Sequence, residues 1–163
     1  MDLVATPLTA AAFAPYGDVL AAPAEPGRVY FPDGLGNGRP SAALSLSLSR
    51  LAPTALPLRS ALLERHAFSS QTFLPLSVSR YLVIVAPPAA DGGPDATQVR
   101  AFVAGPGQGI TYRAGTWHHG MTVLDRPAEF AVMMWRDGTK ADEEFVPLAS
   151  ELVITVSAGR GPA

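Results

Sequence analysis

The sequence contains no cysteine, few charged residues and no long apolar run. Without cysteine, the chain has no disulfides, thiolate nucleophiles or cysteine metal sites. Charged residues make up 16% of the chain, and 12 basic against 14 acidic residues predict no binding to nucleic acid or to an anionic membrane surface. A membrane-spanning helix needs roughly 18 consecutive apolar residues, and no stretch supplies them. We expect neither nucleic acid nor a membrane as a partner.

Glycine (15) and proline (16) are abundant among the 163 residues, and they are scattered through apolar segments. This distribution disfavours long helices and predicts short elements joined by turns. The length suits a single domain over residues 1–163, with a flexible tail over about 157–163. The N-terminal segment carries Asp2, has no basic region and is interrupted by Pro7 and Pro15, unlike a secretory signal peptide. We therefore expect a cytoplasmic protein.

Hydrophobic periodicity predicts a mainly β fold with a few short helices. Between Leu44 and Ser49, leucine alternates with serine, a period of two that predicts a strand with one buried, leucine-bearing face. Helical patterns are short, at Thr9 to Phe13, where Thr9 is a candidate cap, and at Leu58 to Glu64. Many short strands separated by turns favour an antiparallel barrel or jelly roll. The other predicted strands are Gln71 to Pro75, Tyr81 to Ala86, Val99 to Val103, Gly109 to Arg113 and Phe130 to Trp135.

Three histidines, His66, His118 and His119, stand beside strand-like segments. Any one of them, taken alone, is more often a surface or hydrogen-bonded core imidazole than a functional group. If residues 64–66 form a strand, however, Glu64 and His66 project to the same face. That placement of a carboxylate beside an imidazole in a chain with few charges makes the segment a candidate site.

The spacing of these residues resembles the two cupin motifs. It reads ExH(x)4Q from Glu64 to Gln71 and G(x)5RxG(x)2H from Gly107 to His118. The resemblance implies a cupin-like double-stranded β-helix, a jelly-roll barrel, with an inward-facing set that could hold nickel, manganese or zinc. Glu64 replaces the first motif histidine and Gln71 the motif glutamate, and an amide is a poorer ligand, so we expect weak or conditional metal binding. The implied ligands are Glu64, His66, Gln71 and His118.

A longer set of matches is similar to the ureidoglycolate lyase family, formerly called ureidoglycolate hydrolase, over about residues 3–148. The resemblance implies elimination of urea from ureidoglycolate to give glyoxylate in ureide, allantoin and purine degradation. It also implies a homodimer, which a charge-poor and apolar surface favours independently. The matching strings are ERH at 64–66, QTFLP at 71–75, RAF at 100–102, GQG at 107–109, WHH at 117–119 and FAPYGDV at 13–19.

The implied reaction needs a base for the carbinol hydroxyl proton and an acid for the departing urea nitrogen. Histidine suits both tasks because its unperturbed pKa of roughly 6.5 lies near working pH. We expect His66 and His118 to face the ligand, Glu64 to act as base or orienting partner, and Gln71 to bond the ureido or hydroxyl group. If His118 faces inward, strand alternation sends His119 to the opposite side.

The substrate is an anion, so a guanidinium is expected near its carboxylate. Eleven of the twelve basic residues are arginine, and we take Arg50 first and Arg136 second as candidates. Trp117 and Tyr112 are expected to pack in the core, with pocket lining as the alternative. Two other functions stay open: a metal-dependent cupin enzyme on another small hydroxy or keto acid, and a non-catalytic cupin that binds a small molecule.

Overall fold

The computed structural model describes residues 1–157 and is built almost entirely of β-strands. Of the predicted tail, only Ser157 lies within the described residues. The elements, in chain order, are β1 (Asp2–Pro7), α1 (Ala10–Phe13), β2 (Gly17–Leu20), β3 (Ala43–Leu51), β4 (Leu58–His66), β5 (Gln71–Ser77), β6 (Arg80–Ala86), a 3-10 turn (Ala96–Gln98), β7 (Arg100–Ala104), β8 (Gly109–Tyr112), β9 (Trp117–His118), β10 (Thr122–Leu124), β11 (Ala128–Arg136) and β12 (Glu143–Val156).

The strands form two sheets that confirm the predicted jelly-roll barrel. One sheet has seven strands in the order β10-β6-β7-β1-β12-β4-β9, and a further pairing between β6 and β9 closes it on itself. The other has five strands in the order β2-β8-β5-β11-β3. Most neighbours are antiparallel, while β1 runs parallel to both β7 and β12. Closure removes exposed edges from much of the larger sheet.

Two hydrophobic cores lie on opposite faces of β6. The barrel core, between the sheets, includes Tyr81 and Val83, and the second core, inside the closed sheet, includes Leu82 and Ile84. Because both faces of β6 are buried, its sequence is continuously apolar instead of alternating. Side chains along β6 therefore point alternately into the barrel core and into the second core. The polar candidate residues lie on the side of the barrel core.

Two helices are predicted from the sequence, and the structure contains one of them. Helix α1 begins after Thr9, whose side chain accepts a hydrogen bond of 3.2 Å from the Ala12 backbone N–H. The helix predicted over Leu58 to Glu64 is wrong, because these residues belong to β4. Pairing of β4 with β12 and β9 satisfies its backbone groups and overrides a weak local preference.

Strand β3 was correctly predicted, but its leucine face is exposed. Leu44, Leu46 and Leu48 are 49%, 68% and 75% exposed. In the register with β11, Leu46 stands opposite Met133, while Ser47 stands opposite Val132 of the barrel core. The leucines therefore lie on the outer face, contrary to the expected burial. The serines lie on the inner face, where Ser45 and Ser49 are half-buried and Ser47 is exposed. Within residues 1–157, no helix is long and apolar enough to cross a membrane.

Candidate functional site

The candidate site lies at one end of the barrel, where β4 meets β9. Glu64 and His66 share a face of β4, and Glu64 stands directly opposite His118 in the register. His118 also stands opposite Val85, which belongs to the barrel core, so all three side chains project toward the interior between the two sheets. The structure therefore brings together the three residues predicted to be catalytic.

Two short contacts fix the orientation of the His118 ring. Its Nδ1 lies 2.8 Å from the carbonyl oxygen of Thr116, which can only accept, so Nδ1 carries a proton. The ring stacks on Tyr112 with centroids 4.1 Å apart and an interplanar angle of 15°. These contacts direct Nε2 toward Glu64, whose Oε1 is 3.5 Å away. That distance is longer than an ordinary hydrogen bond, and the attraction is mainly electrostatic.

Several buried polar atoms around this point have no protein partner. They are both ring nitrogens of His66, Nε2 of His118 and Oε1 of Gln71. His66 and His118 have ring centroids 5.8 Å apart, and Gln71 stands opposite Tyr112 in the register between β5 and β8. Buried polar groups are normally satisfied, so unpaired atoms gathered in one region indicate a place for a polar ligand.

The local electrostatics keep both Glu64 and His66 unprotonated. The adjacent His118 imidazole lowers the pKa of Glu64, although burial opposes this. Burial, together with the nearby His118, lowers the pKa of His66. At neutral pH, Glu64 is therefore a carboxylate and His66 is a neutral imidazole with a lone pair available. Both groups are therefore suited to accepting a proton.

Asp142, which sequence reasoning missed, stands behind His66. Its Oδ2 lies 3.9 Å from Nδ1 of His66, and it accepts hydrogen bonds from Ser69 and, at 2.7 Å, from the Phe68 backbone N–H. Arg39 pairs with the same carboxylate at 3.3 Å. No motif marks Asp142 in the sequence, because its partners come from the loops at 39 and 68–69. It is placed to favour the tautomer of His66 that carries its proton on Nδ1.

His119 lies closer to the site than predicted. Strand β9 ends at His118, so strand alternation does not continue to His119, which lines a cavity of about 210 Å³ together with Glu64. Its Nδ1 lies 2.8 Å from the Gly120 carbonyl, which leaves Nε2 free of a backbone partner. Burial lowers the pKa of His119. Trp117, by contrast, packs in the second core as expected.

The two candidate arginines occupy different places. Arg50 pairs with Glu129 at 2.6 Å on the outer face of the five-stranded sheet. Glu129 is five residues along β11 from Met134, the partner of Gln71, a separation of about 17 Å at the usual rise of a strand. Arg136 is the last residue of β11 and lies on the same face of the strand as the inward-facing Val132. It makes no ion pair within the described chain. The structure brings Arg136, and not Arg50, to the end of the barrel where Gln71 lies.

The donor types fit a divalent cation better than their arrangement does. The unpartnered nitrogens of His66 and His118, the Gln71 amide oxygen and the Glu64 carboxylate are all suitable ligands. Over residues 1–157, however, no three His, Cys, Asp or Glu side chains form a ready metal-binding group. A cation would therefore depend on the Gln71 amide and on movement of the side chains.

Comparisons with known proteins identify the family of the chain. The ureidoglycolate lyase family model matches residues 1–155. The chain is 39% identical to a ureidoglycolate lyase of Burkholderia cepacia, over 86% of this chain and 83% of that protein. It is 37% identical to a ureidoglycolate lyase of Burkholderia mallei, over 86% and 87% of the two chains.

Among solved structures, a dTDP sugar isomerase from Desulfovibrio desulfuricans G20 shares the fold. Its TM-score is 0.51 at 18% identity, and the match covers 82% of this chain and 83% of that one. The likeness shows the cupin-type barrel alone. The family match and the sequence relatives establish that this chain is a member of the ureidoglycolate lyase family.

Proposed function

We propose that the chain is a cytoplasmic ureidoglycolate lyase of the amidine-lyase type, which releases urea from ureidoglycolate and leaves glyoxylate. The observation that carries the proposal is the cluster of unpaired buried atoms on His66, His118 and Gln71 beside the Glu64 carboxylate. A small polar substrate with a hydroxyl and a ureido group would satisfy these atoms. The family match supplies the identity of that substrate.

His66 is the proposed base. Burial lowers its pKa and keeps it neutral, and Asp142 on the Nδ1 side favours a lone pair on Nε2. Nε2 takes the proton of the carbinol hydroxyl, and the oxygen lone pair forms the carbonyl of glyoxylate as the carbon–nitrogen bond breaks. No water is consumed in this step.

His118 is the proposed acid. Its Nδ1 proton is held by Thr116, and a proton on Nε2 would lie between the ring and the Glu64 carboxylate. This proton passes to the departing urea nitrogen, which takes the electrons of the broken bond. Glu64 therefore acts as the anionic partner that stabilises the protonated His118 ring, and Gln71 holds the ureido or hydroxyl group.

Arg136 is the proposed contact for the substrate carboxylate. It is exposed, unpaired within the described residues, and located on the inner side of β11 at the end of the barrel where Gln71 begins β5. Arg50 is already neutralised by Glu129 on the outer face. A guanidinium at the entrance would attract the anion and orient it by bidentate hydrogen bonds.

We further propose that Glu64, His66, Gln71 and His118 admit a divalent cation such as nickel, manganese or zinc. When bound, such an ion would polarise the hydroxyl oxygen of the substrate. Calorimetric titration of chelator-treated protein with each ion is expected to show weak binding that is reduced in Gln71→Leu. Tight binding that Gln71→Leu does not affect would contradict this ligand set.

The activity is tested by measuring urea, glyoxylate and ammonia from ureidoglycolate. We expect urea and glyoxylate in equal amounts without ammonia, and loss of turnover in His66→Ala and His118→Ala with the fold retained by circular dichroism. Ammonia in place of urea would show hydrolysis. Turnover of another hydroxy or keto acid alone would favour the metal-dependent alternative, and binding without turnover would favour a non-catalytic cupin.

Finally, we propose that the enzyme is a homodimer. The support is the apolar surface that remains exposed on the chain, including the leucines of β3. Exposed apolar patches of this kind are typical of protein–protein contacts.

A further inference from the structure

A buried network of charged and polar side chains lies beside His66 and outside the groups assigned to the reaction. We propose that Arg39 and Ser69 are positioning residues, which hold the Asp142 carboxylate so that it fixes the tautomer of the His66 ring. The inference deepens the proposed function, in which His66 is the base, and it rests on that function.

Asp142 binds three successive residues that follow His66 in the chain. Its backbone carbonyl accepts a hydrogen bond of 3.0 Å from the Ala67 N–H, its Oδ1 accepts one of 2.7 Å from the Phe68 N–H, and its Oδ2 accepts one from the Ser69 hydroxyl. The carboxylate is therefore tied to the backbone that carries His66. Its Oδ2 faces Nδ1 of the ring at 3.9 Å, too far for a hydrogen bond, so its charge favours the N–H on that nitrogen.

Arg39 holds the same carboxylate from a distant part of the sequence. Its Nη2 lies 3.3 Å from Oδ2 of Asp142 and donates to the Trp135 carbonyl at 3.0 Å, while its Nη1 donates to Asp137 at 2.8 Å. The planar guanidinium thus bridges two carboxylates and a backbone carbonyl, a geometry that a lysine ammonium does not reproduce. Because the Arg39 side chain is only 11% exposed, solvent screens these contacts little.

Backbone pairing explains why Arg39 reaches this position. The Gly38 N–H donates to the Phe68 carbonyl at 2.7 Å, and Gly36 and Ser70 exchange two hydrogen bonds of 2.9 Å. The segment between β2 and β3 therefore runs beside the loop that follows β4. A change at Arg39 is transmitted to the proposed base through one shared carboxylate.

A surface cluster of the same residue types shows what is unusual about the buried one. Ser79 and Arg80 both contact Asp125, but the Arg80 and Asp125 side chains are 46% and 40% exposed. The Arg39 and Asp142 side chains are 11% and 5% exposed. Burial of charges carries a desolvation penalty that pairing often only offsets, so a buried ion pair is weak evidence of stabilisation. A requirement for position accounts for its location beside a histidine.

The first experiment observes the tautomer of His66 directly. The chain has three histidines, so proton–nitrogen correlation spectra of the nitrogen-15-labelled protein contain three sets of ring signals, and His66→Gln assigns one of them. At about pH 8, where histidine is neutral, we expect His66 to be protonated on Nδ1. Arg39→Gln and Ser69→Ala should each shift it toward the tautomer protonated on Nε2. His118 is the internal reference, because the Thr116 carbonyl holds its Nδ1 proton.

The second experiment separates positioning from folding and from substrate binding. Arg39→Gln should lower kcat for urea release at least about tenfold and leave KM within about twofold, because a misplaced base slows the proton transfer alone. Arg39→Lys should recover part of kcat, since it keeps the charge without the planar fork. Ser79→Ala and Arg80→Gln are the matched controls and should keep the wild-type kcat and spectrum.

An unchanged His66 tautomer in both network variants overturns the proposal, and so does an unchanged kcat when the tautomer has shifted. If Arg39→Gln does not fold, Ser69→Ala decides, because it removes one hydroxyl with little change in shape. The spectra do not require turnover. A shifted tautomer in a protein that releases no urea therefore refutes the lyase activity alone, and an unchanged tautomer in an active enzyme refutes the positioning role alone.

Discussion

Replacing Glu64 with glutamine tests the proposed acid without changing the size of the side chain. The carboxylate oxygen lies 3.5 Å from Nε2 of His118. At that distance, the attraction between a carboxylate and an imidazolium is about 1 kcal/mol in water and about 5 kcal/mol at an effective dielectric constant near 20. The Glu64 side chain is 23% exposed, so we take a value of about 3 kcal/mol.

A loss of about 3 kcal/mol at the protonated His118 corresponds to a decrease in kcat of about a hundredfold. KM should change little, because the substrate carboxylate and ureido contacts remain. A residue that only supports the fold would not separate kcat from KM in this way.

The assay measures glyoxylate as its phenylhydrazone, with urea determined in parallel. Glu151→Gln is the matched control, because Glu151 forms a 2.6 Å ion pair with Arg59 away from the site and should retain full activity. If Glu64→Gln keeps more than half of the wild-type kcat, the carboxylate has no part in proton transfer and the proposed mechanism is refuted.

Two further predictions concern binding and stability. Arg136→Gln should raise KM for ureidoglycolate about tenfold or more with a smaller effect on kcat, whereas Arg50→Gln should leave KM unchanged. Equal KM values for the two variants would show that Arg136 does not bind the substrate carboxylate. The lowered pKa of His66 means that the unfolded chain binds more protons below about pH 6.5, so the free energy of unfolding should fall as pH decreases from 7 to 5. Urea denaturation of wild type and His66→Gln at several pH values should show a weaker decrease in the variant, and parallel curves would contradict this assignment.

The strand pattern was predictable where local sequence and tertiary structure agree. The leucine–serine alternation of β3 predicted the strand correctly, but burial depends on which sheet face meets the barrel core, and the alternation alone does not specify that face. Strand β12, Glu143–Val156, has no regular alternation because Pro147 and a register shift interrupt it. Its strand character comes from pairing with β4 and β1, which are distant in sequence.

The candidate site was predictable to the extent that its residues lie on strands. Glu64, His66 and His118 could be placed together because their motif spacing fixes both the strand and the face. Asp142 could not, because it reaches His66 from a loop before β12. His119 departs from expectation because β9 ends one residue earlier, and alternation holds only while the strand continues.

Alternation also places anchoring contacts on the side of these strands opposite the candidate site. Arg65, between Glu64 and His66, points to the opposite face of β4, where its guanidinium lies 4.4 Å from the centre of the Trp117 ring. Trp117 is next to His118, and the Trp117 indole N–H and the Arg65 guanidinium both donate to the Gly92 carbonyl. The residues beside the functional side chains are thus fixed in or against the second core, so the two strands hold their active faces in register. Because a misplacement of about 1 Å can cost about a hundredfold in rate, this packing is as necessary to the proposed chemistry as the histidines themselves.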